Sequence, residues 1–292
     1  SNMKLPDFIY RLLNRKPKRL DDQLDIVQHQ GIFRRQISRF QGVALVVGAT
    51  IGAGILSIPY AVAQVGLYLG LVYIVCLGLM VIGLHLLLGE IAVKTRGDLQ
   101  EVGLGRRYLG KVGEVIMGVI KYLSGFGVLI VYTIGLGRSL SALFGGDPFL
   151  WSLGFFALGA FFIYHGLSSI KVMDFVLSLF ILFIILGIGW LSYDHIKEVN
   201  WQYHNFANLL LPYGVILFSY HGTASVLEAH SILADKQKAF RTTIIIAGLI
   251  IIAAYSLFTI IVMGVTGAET TPIATVGLGE KMGPVMLVLG NV

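Results

Sequence analysis

Residues 48–59, with the sequence GATIGAGILSIP, carry the residue types that could bind a ligand through the protein backbone. They lie in the middle of a long apolar segment, where each glycine costs a helix about 1 kcal/mol relative to alanine. Such a stretch favours a helix that stops and restarts inside a membrane, which is tolerated only beside protein or a watery cavity. The alternative is a packing face, because Gly48 and Gly52 have the spacing of close-packed membrane helices.

A second run of small and polar residues, 219–225, interrupts the sixth apolar span of the sequence. Interrupted segments at corresponding positions of two halves predict a ligand site between them. The N-termini of half-helices offer N–H groups to an anion, and their C-termini offer carbonyl groups to a cation. The two breaks together therefore predict a site for a zwitterion such as an amino acid.

Backbone amides at residues 53–55 are expected to bind the carboxylate, and carbonyls near residues 49–50 and 218–220 are expected to face the ammonium group. Glycine allows close approach of a ligand to the backbone, so we expect Gly54→Val to block the carboxylate and Gly54→Ala to be milder. The predicted substrate-binding residues are Ala49, Thr50, Gly52, Ala53, Gly54, Ile55, Tyr132, Phe218, Ser219, Tyr220, His221, Gly222 and Thr223.

The composition places these residues in a membrane protein. The 292 residues are 56% hydrophobic and 13% charged, with a mean hydropathy of +0.80, and the apolar runs are long enough to cross a bilayer. An all-α polytopic membrane protein is therefore expected. The predicted spans lie at residues 42–65, 67–93, 113–144, 149–166, 172–192, 208–229 and 241–266.

Lysine and arginine residues set the expected orientation. They are concentrated in residues 1–41 and in every second loop, which predicts a cytoplasmic N-terminal segment in a multi-pass protein of the cell membrane. The net charge of +6 then reflects topology and attraction to lipid headgroups, and predicts no nucleic-acid partner. Aromatic residues between 193 and 206, on the opposite side, favour interfacial anchors over a ligand site.

Ionisable side chains within or near the spans are candidates for gating or for coupling to an ion. Lys121, Glu90 and Glu228 are such candidates, although each could instead reach the membrane surface. His221 lies in the second break, where it could contact substrate or accept a proton, or serve as a buried structural histidine. The sequence contains no metal-binding or nucleophile motif, so we expect no enzyme and no cofactor beyond a coupling H⁺ or Na⁺.

Residues 48–61 resemble the first-helix signature of amino acid permeases in the amino acid–polyamine–organocation superfamily, particularly the amino acid/auxin and aromatic amino acid permease branches. The run LFSYHGTASVLE at 217–228 and the basic turn at 235–241 are similar to the corresponding segments of that family. The resemblance implies a secondary active transporter that moves an amino acid by alternating access. It also implies the leucine-transporter-type fold, with two inverted five-helix repeats and substrate between helices 1, 3, 6 and 8.

On this interpretation, residues 42–192 form the first repeat and residues 208–292 form an incomplete second repeat. The sequence would then be truncated after about seven transmembrane helices. The count of spans also fits a seven-helix receptor, and glycine-rich breaks could line a channel. Two features weigh against the receptor: its N-terminus would be cytoplasmic by charge, and the seventh span has no lysine for a retinal Schiff base.

Overall fold

Ten α-helices and four short 3-10 turns make up most of the computed structural model, which describes residues 39–52, 54–95, 99–165, 170–233, 237–283 and 286. The chain divides into two units, residues 1–36 and 37–292, and all described residues belong to the second. Most of the predicted N-terminal segment 1–41 therefore lies outside the described residues. The first two residues of the basic turn at 235–241 lie outside them as well. The helices are α1 Arg39–Thr50, α2 Gly54–Ala63, α3 Leu67–Lys94, α4 Glu101–Phe144, α5 Pro148–His165, α6 Ile170–Ser192, α7 Leu211–Ser219, α8 Thr223–Leu233, α9 Gln237–Thr266 and α10 Ala274–Met282.

Three of these helical stretches are long and apolar enough to cross a membrane, and a bent helix pair makes a fourth candidate span. Large apolar side chains cover their outer faces; Leu87 and Leu123, for example, are 60% and 67% exposed, as expected for surfaces that face lipid. The all-α polytopic class is thus confirmed. The other predicted spans correspond to shorter apolar helices or to an interrupted one within the described residues. The four candidate spans are Leu67–Lys94, Glu101–Phe144, Ala239–Glu269 and the pair Gly42–Thr50 with Gly54–Ala63.

The first predicted break is present between α1 and α2. Helix α1 ends at Thr50 and α2 begins at Gly54, and the two axes differ in direction by 56°. The Gly52 amide donates to the Thr50 carbonyl at 2.9 Å, a tight turn in place of the i to i−4 bond of an α-helix. The glycine-rich sequence therefore interrupts the helix where expected.

The second predicted break is also present, between α7 and α8. Helix α7 ends at Ser219 and α8 begins at Thr223, and residues 220–222 are non-helical. The Ser225 hydroxyl donates to the Gly222 carbonyl at 2.6 Å and helps to start the second half-helix. Both interrupted spans are therefore broken at the positions that the sequence predicts.

The two broken spans lie side by side and run in opposite directions. Helix α2 packs against α7, and α1 packs against α8, so the two breaks lie at the same level of the bundle. Helix α9 packs against α1, α2 and α3 and contributes the fully buried Tyr255 and Phe258 to the core. The long, apolar α9 thus forms a support behind both breaks.

A sharp turn at Gly110 divides α4 into two antiparallel segments. Gly110 has φ 68°, a left-handed conformation that glycine adopts at little cost. Beyond the turn the chain folds back, because Lys121 Nζ lies 3.0 Å from Glu101 Oε1 and Arg106 lies 3.1 Å from Glu114. The sequence allows a short interfacial helix before the third span, and the segment from Glu101 to the turn is a short helix at that place in the chain.

The segment between α6 and α7 covers the C-terminal parts of α2 and α9. The Tyr203 hydroxyl donates to the Ala63 carbonyl at 2.6 Å, and the indole of Trp201 donates to the Ile260 carbonyl at 3.2 Å. Burial raises the pKa of Tyr203 to about 12. Both aromatic side chains are half-buried: Tyr203 caps the last residue of α2, and Trp201 bonds to the last third of α9, a more specific role than the interfacial anchoring expected from sequence.

Candidate functional site

A cavity of about 220 Å³ lies where the two helix breaks meet the middle of α4. Its volume is below the usual range of about 300–1,000 Å³ for pockets of drug-sized ligands, so it suits a small molecule. Ten of the thirteen predicted substrate-binding residues line it. The lining residues are Ala49, Thr50, Gly52, Gly54, Val128, Val131, Tyr132, Phe218, Ser219, His221, Gly222, Thr223, Ala224 and Ser225.

Glycine at the first break permits close contact with two other spans. A Cβ atom at Gly52 would overlap the Tyr132 hydroxyl of α4, and a Cβ at Gly54 would lie 2.7 Å from Ser219 Oγ. Both contacts would be closer than ordinary van der Waals contact between such atoms. The two glycines therefore bring α4 and the second break against the first break.

Gly222 has the same role at the second break. A Cβ atom there would overlap Thr50 Oγ1 and lie 3.1 Å from Thr50 Cβ. The two breaks consequently touch at two points, Gly54 against Ser219 and Thr50 against Gly222. The cavity wall is built from these contacts.

Four half-helix ends converge on the cavity and give it its electrostatic character. The C-terminal ends of α1 and α7 carry partial negative charge, and the N-terminal ends of α2 and α8 carry partial positive charge. The Gly54 and Thr223 amides belong to first helical turns, whose N–H groups have no intrahelical acceptor. No aspartate, glutamate, lysine or arginine is among the lining residues of the described chain. Backbone dipoles therefore provide the charge complementarity that a zwitterion requires.

The Thr50 side chain adds a polar group whose hydrogen-bonding capacity is unused. Its Oγ1 atom is buried and has no hydrogen-bond partner among the described residues. A buried hydroxyl of this kind costs about 1–3 kcal/mol when it stays unpaired. Thr50 is one of the lining residues of the cavity, and its hydroxyl lies in the wall against Gly222.

Two of the described residues among the predicted site residues do not line the cavity, and a third predicted residue is not described. Ala53 lies outside the described residues. Ile55 is 6% exposed and packs in the hydrophobic core, and its amide donates to the Gly52 carbonyl at 3.2 Å. Tyr220 is 3% exposed, and its hydroxyl donates to the Ile74 carbonyl of α3 at 2.9 Å. Within the second break, His221 therefore faces the cavity while Tyr220 faces the scaffold.

The three gating or coupling candidates also lie away from the cavity lining. Lys121 pairs with Glu101 across the turn in α4, and Glu90 pairs with Lys94 at 2.6 Å on the surface of α3. Glu228 is half-buried in α8, more than one helical turn beyond the break.

Four lining residues were not predicted, and the sequence holds a signal for each. Val128 and Val131 precede Tyr132 by four residues and one residue, and this spacing places all three on one face of a helix. Ala224 and Ser225 directly follow the second break. Periodicity anchored on Tyr132 would have identified the two valines.

The fold and the site define a polytopic α-helical membrane protein with a cavity between two broken helices, whose described lining residues include no acidic residue, lysine or arginine. A family model described as "Tryptophan/tyrosine permease family" matches residues 35–280. The chain belongs to the tryptophan/tyrosine permease family.

Several curated proteins are similar to this chain. The amino acid transporter AVT3B of Arabidopsis thaliana is 24% identical over 284 residues, covering 87% of this chain and 66% of the relative. Glutamine transporter 2 of Aliivibrio fischeri is 28% identical, covering 79% of this chain and 62% of the relative. The tyrosine-specific transport system 1 of Haemophilus influenzae is 26% identical, with 73% and 54% covered. The chain thus spans less than two thirds of the length of each of these relatives.

Proposed function

We propose that the chain is a secondary active amino acid transporter, or the N-terminal portion of one, that works by alternating access. The observation that carries the proposal is a cavity that both helix breaks line together. Membership in a permease family and the names of the relatives support the same function. They favour it over the receptor and channel alternatives that the span count leaves open.

The proposed ligand is an amino acid with an uncharged side chain. Its carboxylate binds at the Gly54 and Thr223 ends of α2 and α8, and its ammonium group faces the carbonyl ends of α1 and α7. The Thr50 hydroxyl donates to the carboxylate. Val128, Val131 and Phe218 provide an apolar wall for the side chain, which accords with the lack of formal charge among the described lining residues.

The antiparallel broken spans support the leucine-transporter-type inverted repeat, in which corresponding helices of two repeats are interrupted. In this proposal residues 42–192 form one five-helix repeat and residues 208–292 belong to the second. The N-terminus is cytoplasmic, the protein resides in the cell membrane, and transport is coupled to H⁺ or Na⁺. In this proposal a coupled proton acts through His221, which lines the cavity.

Equilibrium binding of radiolabelled neutral amino acids to the purified chain in lipid nanodiscs tests the function. Thr50→Val keeps the shape of the side chain and removes the hydroxyl, and should weaken binding about tenfold, the effect of one hydrogen bond of 1–1.5 kcal/mol. Thr259→Val is the matched control, because the Thr259 hydroxyl is equally buried and unpartnered but lies in α9 outside the lining. Absence of saturable binding by any of the twenty amino acids, in folded protein, would refute the proposal.

A further inference from the structure

The Tyr255 hydroxyl connects the two helix breaks from behind. Tyr255 lies in the middle of α9 and is fully buried. Its hydroxyl oxygen is 2.6 Å from the Ser219 carbonyl oxygen and 3.2 Å from the Thr50 carbonyl oxygen. One side chain of a third span thus reaches both broken spans.

The two carbonyl groups occupy equivalent places in the broken spans. Thr50 is the last residue of α1, and Ser219 is the last residue of α7. The last carbonyls of a helix have no intrahelical donor, and a backbone carbonyl in a water-poor interior needs a partner. The Thr50 carbonyl also accepts from the Gly52 amide, so the phenolic proton satisfies this need chiefly at Ser219. Its contact with both carbonyl oxygens links the two helix ends.

We propose that Tyr255 is a positioning residue that sets the spacing of the two breaks and thereby the shape of the binding cavity. The effect of Tyr255 on substrate affinity rests on the proposed function. Tyr255 is absent from the cavity lining, so it acts through the backbone of Thr50 and Ser219. The expected phenotype is a loosening of both breaks on removal of one oxygen atom.

Tyr220, whose ring contacts that of Tyr255, offers a matched control. Its ring lies 5.1 Å from the ring of Tyr255, measured between centroids, and it is also almost fully buried. Its hydroxyl also donates to a backbone carbonyl, but that carbonyl belongs to Ile74 in the unbroken α3. Tyr220→Phe therefore removes a comparable buried hydrogen bond and leaves the bonds to the Thr50 and Ser219 carbonyls in place.

Hydrogen–deuterium exchange of the ligand-free protein in nanodiscs tests the positioning role directly. In Tyr255→Phe, peptides that cover residues 47–57 and 216–226 should both exchange about tenfold faster, the factor for one hydrogen bond of about 1.4 kcal/mol. In Tyr220→Phe, the peptide over residues 47–57 should exchange as in the parent. Unchanged exchange of that peptide in Tyr255→Phe, or equal acceleration in both variants, would overturn the proposal. So would a Tyr255→Phe protein that fails to fold while Tyr220→Phe folds, because the hydroxyl would then support the whole core.

Binding measurements on the same two variants separate this inference from the proposed function. Tyr255→Phe should bind a neutral amino acid about tenfold more weakly than Tyr220→Phe, by the same hydrogen-bond factor. If the parent protein binds no amino acid but the exchange pattern holds, the proposed function fails and the positioning role stands. If affinity is lost equally in both variants, the role in shaping the cavity is wrong.

Discussion

Gly222 lies directly against the side chain of Thr50, so the second helix break is in contact with the first. The contact is possible only because residue 222 has no side chain. Thr50 lines the cavity and has a buried hydroxyl with no partner among the described residues, and the Gly222 contact sets the place of that hydroxyl in the cavity wall. Small changes at this contact should therefore affect binding before they affect the rest of the fold.

Gly222→Ala is expected to push the two breaks apart. The added methyl group would overlap Thr50 Oγ1 and lie 3.1 Å from Thr50 Cβ, and such overpacking costs about 1–3 kcal/mol. Amino acid affinity should fall at least about tenfold, as 1.4 kcal/mol implies. Gly214→Ala is the control, because a Cβ there has no neighbour within 4 Å in the same broken span. Equal binding by the two variants would show that the contact does not shape the site.

Gly54 is expected to be more sensitive than the sequence suggests. A Cβ at Gly54 would lie 2.7 Å from Ser219 Oγ and 3.0 Å from Ser219 Cα, so it points at the second break and meets backbone. That Gly54→Ala is milder than Gly54→Val, because a methyl group intrudes less, stays a prediction, but the contact with Ser219 means that alanine already incurs a cost. Alanine alone should lower affinity about tenfold or more through overpacking.

A double variant tests this explanation of the Gly54 effect. Ser219→Gly removes the side-chain atoms that the new methyl group would meet, so Gly54→Ala/Ser219→Gly should regain part of the lost affinity. Such non-additivity is expected for residues in direct contact. Isothermal titration of the parent, both single variants and the double variant measures it. Strict additivity would mean that Gly54→Ala acts on the ligand itself.

The location of the breaks was predictable because their cause is local. Glycine and small polar residues within apolar runs weaken a helix wherever the chain places them, and both breaks lie where residues 48–59 and 219–225 indicate. The direction of each side chain inside a break was less predictable. Helical spacing does not apply to non-helical residues, so adjacent Tyr220 and His221 could not be assigned to scaffold and cavity from sequence.

Two features depend on tertiary structure and left little trace in the sequence. Tyr255 is a single tyrosine in an apolar helix, and only the packing of α9 behind both breaks brings it to Thr50 and Ser219. Lys121 resembles an isolated intramembrane charge until the reversal at Gly110 brings Glu101 beside it. A sequence gives no means of finding that glycine among the others of the same segment.

Tyr132 is expected to contribute its hydroxyl to ligand binding. The hydroxyl lies over Gly52, and the residue lines the cavity. Tyr132→Phe should weaken amino acid affinity about two- to thirteenfold, as loss of one hydrogen bond of about 0.5–1.5 kcal/mol predicts. Tyr122→Phe is the control on the same helix, since Tyr122 is 74% exposed and outside the lining. Comparable losses from both tyrosines would assign the effect to α4 in general.

Lys121 is expected to stabilise the turn in α4 and to leave ligand binding unchanged. Its ammonium group lies 3.0 and 3.1 Å from the two carboxylate oxygens of Glu101, whose side chain is 13% exposed. Lys121→Met should lower the free energy of unfolding by about 1–2 kcal/mol, because a largely buried carboxylate loses its charged partner. Thermal unfolding in detergent measures the change.

Reversal of the charge pair separates this structural role from ion coupling. The exchanged pair, Lys121→Glu with Glu101→Lys, should restore most of the stability that Lys121→Glu alone removes. A coupling residue would behave differently, because restored stability would not restore the dependence of amino acid binding on H⁺ or Na⁺. Loss of that dependence in the exchanged pair would return Lys121 to the list of coupling candidates.

The orientation of the chain is expected to place residues 193–206 outside the cell and the turn at Gly110 in the cytoplasm, as the lysine and arginine distribution predicts. In a Cys76→Ala background, Gln202→Cys should react with a membrane-impermeant maleimide on intact cells. Gln202 is exposed. Asn200 is not used as the labelling site, because its side-chain amide donates to the Gly264 carbonyl at 2.7 Å.

The exposed Arg107 provides the opposite probe: Arg107→Cys should react only after permeabilisation. The reverse pattern would invert the topology, and reaction of both on intact cells would show that the helices between them cross the membrane an even number of times.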